Sequence, residues 1–96
     1  MDRAMPSPPP SRPDDARVGD GVVVRDGSLG HVAGIVRSET RAPVYLVIAV
    51  RRLLGRRYPV VPWSLVTGVD RSRGRIHVDG RRGRLGKLPE TLPIVL

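Results

Sequence analysis

From residue 17 onward, apolar residues fall into short runs separated by turn-forming residues. Residues 75–79 alternate most clearly, with Ile76 and Val78 on one face and polar side chains on the other, which is the period of a half-buried strand. Residues 44–50 are apolar on both faces and rich in β-branched side chains, which favours a central strand over a helix. The pattern predicts strands at residues 22–25, 31–37, 44–50, 58–61, 66–70 and 75–79.

Turn signals between these runs indicate how the strands connect. Asp26-Gly27 is a strong hairpin signal between the first two strands. Six short strands with close turns predict an all-β fold, a small antiparallel β-barrel that is SH3-like in size. Closure of the barrel would remove exposed sheet edges. Residues 51–57 and 80–86 are predicted as basic loops, and residues 88–93 as a helical turn that caps the barrel with Leu88 and Leu92.

The N-terminal segment has a different composition. Residues 1–16 contain Pro6, Pro8, Pro9, Pro10 and Pro13 and little apolar surface, so they predict a disordered Pro-rich tail. A docking peptide is the alternative for this segment. The chain of 96 residues corresponds to about one small domain, and residues 17–96 are predicted to form it.

Cysteine is absent, which excludes disulfides and thiolate metal sites. No signal-peptide pattern is visible, and the longest apolar run, residues 44–50, is far shorter than a membrane-spanning helix. These features predict a cytoplasmic protein with a disordered N-terminus.

Charge is concentrated in the second half of the chain. Residues 1–50 carry six basic and six acidic groups, whereas residues 51–87 carry eleven basic groups and only two acidic ones. Such a surface favours phosphate-rich or acidic partners, although an arginine-rich soluble surface with no partner explains it equally well. The candidate phosphate- or partner-binding residues are Arg51, Arg52, Arg56, Arg57, Arg71, Arg73, Arg75, Arg81, Arg82, Arg84 and Lys87.

Two aromatic residues lie close to the first arginine cluster. Tyr58 and Trp63 are candidates for stacking on a nucleic-acid base, and the alternative for each is a place in the core. The chain has no Asn or Gln, so amide readout of adenine is excluded. Nucleic-acid binding through these residues would therefore be directed at the backbone.

Catalytic groups do not cluster along the sequence. His31 and His77 lie on separate predicted strands, and Ser64 lacks a nucleophile motif around it. The Gly-rich residues 80–86 lack the Gly-Lys-Ser/Thr ending of a phosphate loop. We therefore expect no enzyme activity, no metal, no cofactor and no small-molecule substrate.

The order of these motifs resembles the PRC-barrel family over residues 18–92. The matching motifs are Val22-Val23-Val24-Arg25-Asp26-Gly27, Leu29-Gly30-His31-Val32, Val44-Tyr45-Leu46-Val47-Ile48, Leu54-Gly55-Arg56-Arg57, Val60-Val61-Pro62-Trp63-Ser64-Leu65-Val66, Val69-Asp70, Arg75-Ile76-His77-Val78 and Leu88-Pro89. One departure is the basic character of residues 51–57 and 80–87, where the family often carries acidic residues.

The resemblance implies a small stand-alone PRC-barrel protein that binds or positions a partner without catalysis. The family occurs in the H subunit of photosynthetic reaction centres, in a bacterial factor for maturation of the small ribosomal subunit, and in short proteins of unknown role. A second resemblance, to the KOW motif of RNA-binding barrels, covers Gly19-Asp20, Val22, Val24, Gly27, Gly30, Gly34 and Val36.

Two functions remain open from the sequence. The first is a non-catalytic interaction module that docks on a protein or ribonucleoprotein through its basic surface. The alternative is a barrel of the KOW type that binds the RNA or DNA backbone directly. Association with an anionic membrane is the least favoured, because the sequence shows no amphipathic helix or lipid anchor.

Overall fold

The computed structural model describes residues 16–92, and within them β structure predominates. The strands are β1 (Gly21–Val24), β2 (Gly27–Arg37), β3 (Pro43–Arg52), β4 (Gly55–Arg57), β5 (Val60–Pro62), β6 (Val66–Asp70) and β7 (Arg75–Val78). A 3-10 turn (Trp63–Leu65) connects β5 to β6, and a single-turn helix, α1 (Arg82–Leu85), follows β7.

The strands form one open sheet. Its order is β4-β3-β2-β1-β7-β6, and β5 pairs with the same edge of β3 as β4 does. Every pair is antiparallel except β1 with β7, which run parallel with Val22 opposite Ile76. The all-β class is therefore confirmed, but the sheet of the described residues is open and mixed rather than a closed antiparallel barrel.

The predicted basic loop at residues 51–57 is instead a β-hairpin. Strand β3 continues to Arg52, the turn consists of Leu53 and Leu54, and β4 starts at Gly55, which lies opposite Arg52. Gly55 has a φ of 118°, a left-handed conformation that glycine adopts without strain. The basic side chains of this segment are thus held on paired strands.

The C-terminal prediction also differs from the structure. The helical turn lies at Arg82–Leu85, inside the segment predicted as a loop, and residues 88–92 form no helix. Leu88 is half-buried and packs against the core, whereas Leu92 is exposed. Leu85 of α1 is the buried side chain that closes this end of the core.

The core lies on one face of the sheet, where alternate residues of the strands meet. Its fully buried side chains include Val22, Leu46, Ile48, Val61 and Ile76. Ala16, assigned from the sequence to the tail, is also buried and belongs to this core. The rest of the predicted tail lies outside the described residues.

Backbone and side-chain bonds hold the C-terminal segment against β4 and β5. Arg57 Nη2 donates to the carbonyl oxygen of Leu88 at 3.0 Å, and the Val60 N–H donates to that of Pro89 at 2.9 Å. The Tyr58 N–H donates to Glu90 Oε1 at 2.8 Å. Between residues 16 and 92 there is no helix of the length and apolarity that crossing a bilayer requires.

Candidate functional site

A surface cleft of about 870 Å³ lies between β2, the β3–β4 hairpin and α1. Two hydrogen bonds fix its walls. Arg52 Nη2 of the hairpin donates to the Gly86 carbonyl oxygen at 3.2 Å, and the Arg82 N–H of α1 donates to Asp26 Oδ1 at 2.8 Å. The floor includes Gly30, whose Cα faces the backbone of Ala49 so closely that a Cβ would overlap the Ala49 carbonyl.

Two basic segments that are distant in sequence meet at this cleft, which we call the basic cleft. Five of the predicted basic residues line it, namely Arg51, Arg52, Arg56, Arg82 and Lys87. The carboxylate of Asp26 is the acidic group among its lining residues. The cleft therefore carries a clear excess of positive charge, which would attract a polyanion.

Arg51 and Arg56 are directly opposite each other in the β3–β4 pair. Like charges at opposed positions of an antiparallel pair destabilise it. Among the described residues, neither guanidinium has a hydrogen-bond or ion-pair partner. Both guanidinium groups are exposed and available to an anion.

Asp26 reduces the positive charge at one end of the cleft. Its pKa lies below the ordinary value of 3.8, first because the Arg82 N–H donates to it, and further because the charges of Arg82 and Arg81 are close. Asp26 Oδ2 also lies 3.9 Å from Arg82 Nε. The carboxylate is thus ionised at neutral pH and positions the start of α1.

Six of the predicted basic residues do not line the cleft. Arg57 packs against the C-terminal segment, 3.8 Å from Glu90, and its Nε is buried with no hydrogen-bond partner among residues 16–92.

Three more of these basic residues lie at the β6–β7 turn, namely Arg71, Arg73 and Arg75. Arg71 forms a forked pair with buried Asp20, and Arg73 lies 3.9 Å from Asp70. Arg81 directly precedes α1 and Arg84 lies within it, and both are exposed and outside the cleft lining.

The two aromatic candidates are also outside the cleft lining. Trp63 is half-buried in the 3-10 turn and packs against the core. Tyr58 is 41% exposed, and its backbone rather than its ring is held by Glu90. The structure thus brings Trp63 to the core and leaves the Tyr58 ring at the surface.

Sequence reasoning did not select three polar residues that line the cleft, Asp26, Ser28 and His31. The sequence marks Asp26 only as part of a hairpin turn, and His31 only as a histidine on a different predicted strand from His77. The Asp26-Gly27 turn is a usable signal, because it places Asp26 directly before β2 and Ser28 and His31 within that strand. Within residues 16–92, no three His, Asp or Glu side chains come together as a metal site.

The hairpin also has an apolar tip. Leu53 and Leu54 are 99% and 96% exposed, and they occupy the turn between Arg52 and Gly55. Two adjacent leucines at full exposure are unusual on a surface whose other large apolar side chains are partly covered.

The sequence matches no protein-family model, and no curated protein matches it at a significant level.

Proposed function

We propose that this protein is a non-catalytic interaction module that docks on a protein or ribonucleoprotein partner through the basic cleft. One observation carries the proposal: Arg51, Arg52 and Arg56 from one basic segment and Arg82 and Lys87 from another line a single cleft. A basic surface that served solubility alone would gain nothing from placing Arg51 opposite Arg56 without a carboxylate between them. The motif order adds a resemblance to PRC-barrel proteins, and a cytoplasmic location remains part of the proposal.

Capture of partners from a cell lysate tests this function when it is done with and without nuclease. Arg51→Ser/Arg56→Ser removes the opposed pair from the cleft. Arg73→Ser/Arg75→Ser removes the same charge at the β6–β7 turn and serves as the matched control. We expect the first variant alone to lose the partner. Equal loss by both variants would contradict the proposal, because binding would then follow net charge and not the cleft.

Direct binding to an RNA or DNA backbone is the second candidate. It is favoured by the five basic side chains around one cleft, since guanidinium groups form forked hydrogen bonds to phosphates. Five phosphate contacts would lower the affinity between 50 and 200 mM salt about five-hundredfold for a duplex and about a hundredfold for a single strand. Titration of labelled single- and double-stranded RNA checks these values, and no binding at 50 mM salt would leave the protein-docking function.

A further inference from the structure

We infer that the tip of the β3–β4 hairpin inserts into the surface of an anionic bilayer, with Leu53 and Leu54 among the lipids and the neighbouring arginines at the phosphates. This partner lies beyond the proposed protein or ribonucleoprotein. The inference depends on the juxtaposition of two independent features, a fully exposed apolar tip and a basic cleft directly behind it.

Turn chemistry does not account for the two leucines. Two-residue hairpin turns favour Asn, Asp and Gly, and here only the following residue, Gly55, has a positive φ. Leu53 and Leu54 do not contribute to the core, because both are almost fully exposed. Their apolar side chains gain free energy only if another surface removes them from water.

The arginines around the tip match the chemistry of a phospholipid headgroup layer. Arg51 and Arg56 have no carboxylate partner among residues 16–92, and Arg52 is bonded only to the Gly86 carbonyl oxygen. Long basic side chains can lay their aliphatic stems along apolar surface while the charged group reaches the phosphate layer. The hairpin thus combines an apolar tip with a basic collar, formed by Arg51, Arg52 and Arg56. Buried apolar area and attraction of basic side chains to anionic lipids both favour binding at a membrane interface.

The exposed leucines distinguish a bilayer from the other occupants. A nucleic-acid backbone would satisfy the arginines but would leave the leucines in water, because leucine has neither a ring to stack nor a group to donate. A protein would need an apolar pocket shaped for a protruding turn. A fluid interface needs no matching shape, so a bilayer accounts for the tip and the collar together.

The absence of cysteine makes a direct test simple. In the full chain, Leu54→Cys and Ser72→Cys each carry an environment-sensitive fluorophore, the second at the β6–β7 turn. The probes are 100 nm vesicles of phosphatidylcholine alone or with 30% phosphatidylglycerol. We expect a blue shift at position 54 with the anionic vesicles and none at position 72. Equal responses at both positions, or none at 54, would overturn the inference.

A vesicle co-sedimentation assay with unlabelled variants measures separately how much the apolar tip and the basic collar contribute to binding. Leu53→Ser/Leu54→Ser should lower partitioning at least about tenfold, and its far-UV circular dichroism should match that of the wild type. Arg51→Ser/Arg56→Ser should lower it roughly fivefold per arginine, and Arg73→Ser/Arg75→Ser should lower it less. Vesicle binding that persists in the leucine variant would be charge adsorption alone and would contradict insertion.

The proposed function and the bilayer inference fail in different ways. Arginine-dependent capture of a partner, without vesicle binding, would support docking and overturn bilayer insertion. If the leucine variant also lost that partner, the tip would belong to a protein pocket and not to a membrane. Vesicle binding without capture would support insertion and remove the docking function.

Discussion

Asp20 is a buried carboxylate that connects two distant parts of the chain. It is 6% exposed, accepts from both Arg71 Nη1 and Nη2 at 3.0 and 3.2 Å, and accepts the Arg17 N–H at 2.9 Å. Asp20→Ala should lower the free energy of unfolding by about 2 kcal/mol, because it leaves these donors without their charged acceptor. Urea denaturation measures this loss.

Asp79 provides the matched control for this prediction. Its ion pair with Arg25 is short, at 2.7 Å, but both side chains are about half exposed. Asp79→Ala should therefore lower the free energy of unfolding by less than about 1 kcal/mol. Equal losses for Asp20→Ala and Asp79→Ala would show that burial does not distinguish the two pairs.

Gly30 permits the close approach of β2 to β3 at the floor of the basic cleft. A Cβ at this position would overlap the Ala49 carbonyl oxygen, so Gly30→Ala must separate two paired strands. We expect a loss of about 1–3 kcal/mol in unfolding free energy, measured by thermal or urea denaturation. Gly83→Ala is the control, because a Cβ there meets nothing within 4 Å and alanine favours the helix.

The Asp26 carboxylate predicts a pH dependence at the start of α1. The pKa of Asp26 is lowered from 3.8, mainly by the hydrogen bond from the Arg82 N–H. A lowered folded-state pKa stabilises the fold above the unfolded value, and this contribution is lost as pH falls through the folded pKa. Stability should therefore fall from about pH 4 downward and fall less steeply in Asp26→Asn.

Carboxyl-carbon NMR titration identifies the group responsible for this loss of stability at low pH. We expect the folded protein to titrate Asp26 below the ordinary value of 3.8. The chemical shifts of Arg82 and Leu85 should follow the same curve, because α1 starts on this contact. A titration at or above the ordinary value would contradict the assigned hydrogen bond.

At the scale of elements, the 3-10 turn joins β5 to β6 through Trp63. This side chain is half-buried and packs against the core without being enclosed by it. Trp63→Ala should therefore lower the unfolding free energy by about 2–3 kcal/mol, somewhat less than for a fully buried tryptophan. Ser64→Ala, at an exposed position of the same turn, should leave stability within about 0.5 kcal/mol.

The strands were predictable wherever apolar residues alternate or run together. β7 and the centre of β3 follow this rule, since Ile76, Val78, Leu46 and Ile48 are all buried. The β3–β4 hairpin was missed because its strand ends carry arginines and its turn carries leucines, the reverse of the usual polarity. Hydrophobic periodicity indicates which residues are buried. The tip of this hairpin and the strand residues next to it are almost all exposed, so no periodic pattern marks them.

The basic residues of the candidate site could be predicted from the sequence, but their convergence on one cleft could not. Composition alone indicated the basic clusters, and five of their members line the cleft. Their convergence depends on the hydrogen bonds from Arg52 to Gly86 and from Arg82 to Asp26. These contacts join residues far apart in sequence, for which a local pattern carries no signal.

At the scale of the whole molecule, one strand pair makes the sheet mixed instead of purely antiparallel as expected. Local turn signals predict antiparallel neighbours, and most pairs are of that kind. The parallel pairing of β1 with β7 joins neighbouring strands of the sheet that lie near opposite ends of the described chain. No turn encodes it; instead, burial of Val22 beside Ile76 selects this register.

The same parallel pair determines when the chain can fold during synthesis. Val22 and Ile76 are 76 − 22 = 54 positions apart, so β1 has only β2 as a neighbour until β7 has left the ribosome. Contacts of such long range form late, because loop closure must precede them. Ribosome-arrested chains that expose residues up to 70 should thus remain sensitive to protease. Those that expose residues up to 92 should become resistant in one step.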